Sequence, residues 1–121
     1  MSAPFERLAA LDRLIHEPAR LAILTALAAC QSAEFLFLQR LTGLTKGNLS
    51  SHLAKLEEGG LVLIEKTFSG KTPHTFLRLT DAGRQAIAAH WQRLEQLGRA
   101  AQQWKPDATH STLAAGADEP N

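Results

Sequence analysis

The sequence predicts a mainly α-helical domain of the α+β class that carries one small β-hairpin. Three observations predict it. Apolar residues recur at three- and four-residue steps along most of the chain. That period breaks once, over Leu61–Phe68 and His74–Thr80, where β-branched and apolar residues flank the turn cluster Ser69-Gly70-Lys71-Thr72-Pro73. Helical periodicity then resumes and runs to about Trp104. The expected order is helix, helix, two short helices joined by a tight turn, two strands, and a long helix.

Each element has its own justification. Phe5 to Ile15 reads as a helix with a wide apolar face of Leu8, Leu11, Leu14 and Ile15. His16-Glu17-Pro18 breaks it and starts another, because proline is at home in a first helical turn. Leu21, Leu24, Leu27 and Ala28 mark the buried side of this second helix. Ala33 to Thr42 reads as a third helix, apolar at Phe35, Leu38 and Leu41 and ended by Gly43. Thr45 is placed to cap a fourth helix, Lys46 to Glu57, which Gly59-Gly60 ends. Thr80 or Asp81 caps the last helix.

The fourth helix organises the chain. Leu49, Leu53 and Leu56 fall on one face, while Lys46, Gly47, Asn48, Ser50, Ser51 and Lys55 project away from it. That outer face is short, polar and weakly basic. It offers donors that reach base edges, small residues that permit close approach, and an apolar back. Two short helices around a glycine-containing turn form a helix-turn-helix signature. The hairpin that follows carries Lys66, Lys71, His74 and Arg78, cations suited to phosphate or a minor groove. His52 lies near the Leu49 direction and is expected to pack in part.

Composition bounds the rest. The 121 residues fit one domain, expected over 1–104, with an Ala-, Pro- and Asp-rich tail from 105 to 121 that is expected to lack fixed structure. The net charge of +1 does not announce a nucleic-acid binder, so any basic field must be local. Cys30 is the single cysteine, which excludes an intramolecular disulfide and reads as a small buried hydrophobe. No apolar run reaches membrane-spanning length and no signal-peptide pattern opens the chain, so a cytoplasmic protein without membrane contact is expected. No metal-ligand pair, phosphate loop or nucleophile elbow is present; no metal, cofactor or enzymatic activity is expected. The long last helix carries an apolar stripe of Ile87, Trp91, Leu94, Leu97, Ala101 and Trp104. With Phe5, Leu8 and Leu11 at the other end of the chain, it is expected to form a homodimer contact.

The run Leu44-Thr45-Lys46-Gly47-Asn48-Leu49-Ser50-Ser51-His52-Leu53 resembles a family of small winged-helix regulators. So do Gly60-Leu61-Val62, Pro73-His74-Thr75 and Leu79-Thr80-Asp81-Ala82-Gly83-Arg84, and, upstream, Ile15 to Leu24. That family is related to the MarR- and ArsR-type transcription factors. The resemblance implies a winged helix-turn-helix fold, a homodimer and double-stranded DNA as ligand. Lys46 to Lys55 would occupy the major groove, and Ser69, Gly70 and Lys71 would form the wing tip. The paired cysteines of metal-sensing ArsR-type proteins are missing here. A small-molecule effector is left open, and the resemblance supplies no pocket for one. The competing reading is a winged-helix protein-interaction module that does not bind DNA, motivated by Glu57, Glu58 and Glu65 close to the basic face.

Overall fold

The computed structural model describes residues 3–107. Met1, Ser2 and most of the tail expected to lack fixed structure, from residue 108 onward, lie outside the described residues. The elements are α1 (Glu6–Ala9), α2 (Pro18–Ala28), β1 (Ala33–Glu34), α3 (Phe35–Thr42), α4 (Lys46–Glu58), β2 (Val62–Ser69), β3 (Thr72–Leu79) and α5 (Asp81–Gln103). The strands form one antiparallel sheet in the order β1-β3-β2.

Two element boundaries correct the expectations from sequence. The first helix is a single turn, Glu6–Ala9, and does not reach Ile15. Asp12 ends that option: its carboxylate accepts from the Leu14 N–H at 2.9 Å, a local bond that competes with helix. The segment after it turns inward, and Leu11 and Ile15 are buried. The third helix starts at Phe35, because Ala33 and Glu34 are instead a third strand, paired with Leu77 and Phe76. On α3, Leu38 is fully buried, whereas Leu41 is 52% exposed and belongs to the outer face with Leu36 and Phe37. On α2, Ile23 joins Leu24 and Leu27 in the core, and Ala28 is exposed.

The remaining boundaries follow from their caps. Pro18 opens α2, and Glu17 accepts from the Arg20 N–H at 2.8 Å. Thr45 Oγ1 accepts from the Asn48 N–H at 3.1 Å to start α4. At its other end Leu61 N–H donates to Leu56 and Gly60 N–H to Glu57, with Gly60 at φ 78°. That pairing is a Schellman motif, which needs a left-handed residue where Gly60 stands. The hairpin turns on Gly70 at φ 65°, and Pro73 is accommodated because β1 pairs only with Phe76 and Leu77, further along β3.

The core lies where α2, α4 and α5 meet the sheet. Ile23, Leu24, Leu27, Leu38, Leu49, Leu53, Leu56, Leu77, Val62 and Ile87 fill it, all at 2% exposure or less. The three leucines expected to seat α4 are therefore its anchor.

Candidate nucleic-acid interface

With Leu49, Leu53 and Leu56 facing inward, α4 turns Lys46, Gly47, Asn48, Ser50, Ser51 and Lys55 to solvent. No hydrogen bond or ion pair to another described residue engages the side chains of Lys46, Asn48, Ser50, Ser51 or Lys55. A Cβ at Gly47 would meet nothing within 4 Å, so this part of the helix is open to close approach. Thr45 satisfies the first-turn amide of Asn48, and the exposed N-terminus of α4 keeps its partial positive charge.

The hairpin stands beside this helix. Directly opposed residues share a face, so Ile64 with Leu77 and Lys66 with Thr75 lie on one side of the sheet. That side meets α4: Lys46, Ser50, Leu53, Ile64, Lys66, Pro73, Thr75 and Leu77 line one groove between helix and hairpin. The structure thus brings Lys46, Ser50 and Lys66 together. Lys71, beside Gly70, is exposed at the hairpin tip, next to Phe68 at 73% exposure.

The other two hairpin residues expected at DNA are each held by a carboxylate, although His74 also lines the groove. His74 Nδ1 lies 3.2 Å from Glu34 Oε1, a diagonal pair between β3 and β1. Arg78 donates from Nε to Glu65 Oε1 at 2.9 Å on the sheet face that also carries Leu63. It stands seven residues from Lys71, about 23 Å along the strand, away from the tip. Arg78 is therefore removed from the group that α4 and the tip define. Arg84 donates to the Ala28 carbonyl at 3.2 Å.

His52 packs in part, as expected. Arg20 Nη1 donates to its Nδ1 at 3.2 Å, while Arg20 also donates to the carbonyls of Leu14 at 2.6 Å and Arg13 at 3.1 Å. Arginine has no acceptor, so the His52 proton sits on Nε2, which faces Glu17 at 3.7 Å. Burial pulls the Glu17 carboxyl upward, but the N–H groups of Arg20 and Ala19, the facing His52 ring and the Arg20 guanidinium outweigh it and hold it below its ordinary value. Arg20 thus clamps the segment before α2 to the back of α4.

Along α5, Trp91 and Trp104 are about half exposed, and Leu94, Leu97 and Ala101 are half-buried. Phe5 meets Trp104 edge-on at 5.3 Å, so α1 extends the apolar surface of α5. Two residues expected on that surface are elsewhere. Ile87, at 2%, is buried inside its own chain because the first turns of α5 lie over the core, and Leu11, at 9%, is buried where the chain turns inward after α1. Cys30 is half-buried. Among the described residues no helix is long and apolar enough to cross a membrane, and no cluster of three metal-ligating side chains occurs.

A helix-turn-helix pair, a hairpin flanking its second helix and a third strand at the hairpin base define the winged-helix class. The chain belongs to the winged helix DNA-binding domain family, whose family model matches residues 19–97. It is similar to an uncharacterized protein of Methanocaldococcus jannaschii, 32% identical over 87 residues, which are 72% of this chain and 95% of that protein. Among solved structures it is similar to a transcriptional regulator homologue from Pyrococcus horikoshii OT3. That match has 30% identity and a TM-score of 0.70, covering 75% of this chain and 90% of the other. A MarR family transcriptional regulator from Silicibacter pomeroyi DSS shares the fold at 18% identity and a TM-score of 0.58, covering 93% of this chain and 72% of that one. The expected winged-helix, MarR-like architecture is what the chain adopts.

Proposed function

We propose that this protein is a sequence-specific regulator of transcription that binds double-stranded DNA as a homodimer. The observation that carries the reading is α4: a helix seated on three buried leucines, whose outer side chains at Lys46, Asn48, Ser50, Ser51 and Lys55 engage no other described residue. In this reading α4 enters the major groove, with Asn48, Ser50 and Ser51 at base edges or phosphates and Lys46 and Lys55 at phosphates. Lys71 at the wing tip and Lys66 at its flank meet the backbone or an adjacent minor groove. His74 and Arg78, each held by a carboxylate, are secondary.

The apolar surface of Phe5, Leu8, Trp91, Leu94, Leu97, Ala101 and Trp104 supports pairing of two copies through α5 and α1. A dimer presents two α4 helices to half-sites about 34 Å apart. The test is electrophoretic shift on a panel of duplexes across salt concentrations, alongside sedimentation of the free protein. A steeply salt-dependent shift and a dimeric mass are expected. A monomer, or a folded dimer that shifts no duplex at low salt, overturns the reading. Leu97→Asp serves as the control, since a charge within that surface should give a folded monomer that binds DNA weakly.

A further inference from the structure

The wing tip carries a side chain to which the contacts assigned above give no task. Phe68 is 73% exposed, more than any other large apolar side chain among the described residues. It opposes Pro73 across the hairpin, and that pair shares the sheet face of Ile64 with Leu77 and of Lys66 with Thr75. Along this face β2 runs from half-buried Ile64 to exposed Lys66 and then to Phe68. The ring stands beyond the groove lining, on the side turned to α4, about 7 Å further out than Lys66. A two-residue turn, Gly70-Lys71, closes the strands, with Gly70 at φ 65°. So short a turn, and the proline ring opposite, hold Phe68 in place before any partner arrives. Residues 66–73 carry two lysines and no carboxylate.

An exposed phenylalanine by itself means little. Here one is fixed at the end of a cationic ribbon, on the side of the helix read as entering DNA. A minor groove is about 6 Å wide, so a side chain at the tip enters it where the whole ribbon cannot. Lys66 and Lys71 flank the ring and suit the phosphates of the two groove walls. Between those walls the apolar surface on offer is the face of a stacked base.

We propose that Phe68 is a wedge: it enters the minor groove beside the α4 site, partly opens one base step and bends the duplex there. The step it favours is pyrimidine–purine, TA or CA/TG, because these steps kink and unstack most easily. Specificity then extends past the bases that α4 touches, to positions selected for deformability. This inference rests on the DNA-binding reading of α4 and adds a second, indirect readout to it.

The test uses the full-length chain and a duplex that it enriches from a random-sequence pool. The flanks of the α4 site are rebuilt so that the wing meets either a TA step or a stiff run of adenines. Aminopurine, an adenine analogue that brightens on unstacking, is moved position by position through the flanks. Wild-type protein should brighten the analogue at one step and prefer the TA duplex about tenfold. Phe68→Ala should bind the TA duplex about tenfold more weakly, lose the preference and leave the analogue dark. Phe68→Leu, still apolar, should keep part of the brightening. Wild-type binding with no brightening at any flank position overturns the wedge, and so does brightening that persists in Phe68→Ala. If that variant fails to fold, the wild-type scan decides. No duplex bound at low salt by folded wild-type protein overturns the DNA-binding reading itself, and the wedge with it.

Discussion

His16 Nδ1 lies 3.1 Å from Nε2 of His90, joining the segment before α2 to the buried side of α5. One nitrogen donates and the other accepts, so the pair cannot carry a proton on both facing atoms. His90 is 1% exposed and its Nδ1 has no partner within the described residues. Burial, then the charges of His16 and Arg93, hold its pKa below the usual histidine value of 6.5, with Asp12 opposing.

The sign of the resulting pH dependence follows. The unfolded chain takes up a proton near pH 6.5 that the folded chain refuses. This contribution to stability is complete above that value and is lost as pH falls through it towards the lowered folded value. Urea midpoints measured between about pH 8 and pH 5.5 should decline, and His90→Phe should flatten the decline. An unchanged slope in that variant would place the titration elsewhere.

Gly47 offers a prediction with opposite signs in two assays. Alanine fits without a clash and favours helix, so Gly47→Ala should raise stability by about 0.5 kcal/mol. The same methyl stands on the solvent-facing side of α4 proposed to meet DNA and should weaken duplex binding about fivefold, or about 1 kcal/mol. Tighter binding would show that close approach at this position is not used.

Lys71 and Asn48 should separate affinity from specificity. Lys71→Ala is expected to weaken all duplexes alike and to lower the slope of log K against log salt by about 0.9, the loss of one phosphate contact. Asn48→Ala should cost about 1–3 kcal/mol on the preferred site and relax base preference there. Parallel losses across all duplexes for Asn48→Ala would make it a backbone contact.

Arg78 should matter little at DNA. It stands about 23 Å from the wing tip and is bonded to Glu65. Arg78→Ala is expected to change duplex affinity by less than about twofold, and stability by about 0–1 kcal/mol, as for exposed ion pairs. A tenfold affinity loss in titrations at fixed salt would return it to the interface.

The parts of this molecule that were legible in the sequence are those with a local cause. Thr45, Gly60 and Thr80 act on their own neighbours, and the three leucines of α4 keep helical pitch, so that helix, its ends and its outer face could be read directly. What escaped depends on partners far along the chain. Ala33 and Glu34 are too short a strand to show a period, and only Leu77 and Phe76 make them one. Asp12 could have been suspected as a helix stop, since aspartate competes for nearby amides. Nothing in the sequence says that His74 meets Glu34 or that Arg20 meets His52, because those pairs are 40 and 32 residues apart. Ile87 and Trp91 share one stripe in sequence, but only the packed fold divides that stripe between core and surface.

The junction between α4 and α5 sets a mechanical limit. Thr80 N–H donates to the Leu61 carbonyl at 3.0 Å, its hydroxyl donates to that of Gly60 at 2.6 Å, and a Cβ on Gly83 would come within 2.0 Å of the Leu61 oxygen. The stop of one helix and the start of the other are bolted together, leaving no hinge. In a pair built on α5, the distance between reading heads is then a property of a ruler rather than of a caliper. Adding or deleting one base pair at the centre of an operator should not be absorbed by the protein and must be met by twisting the DNA.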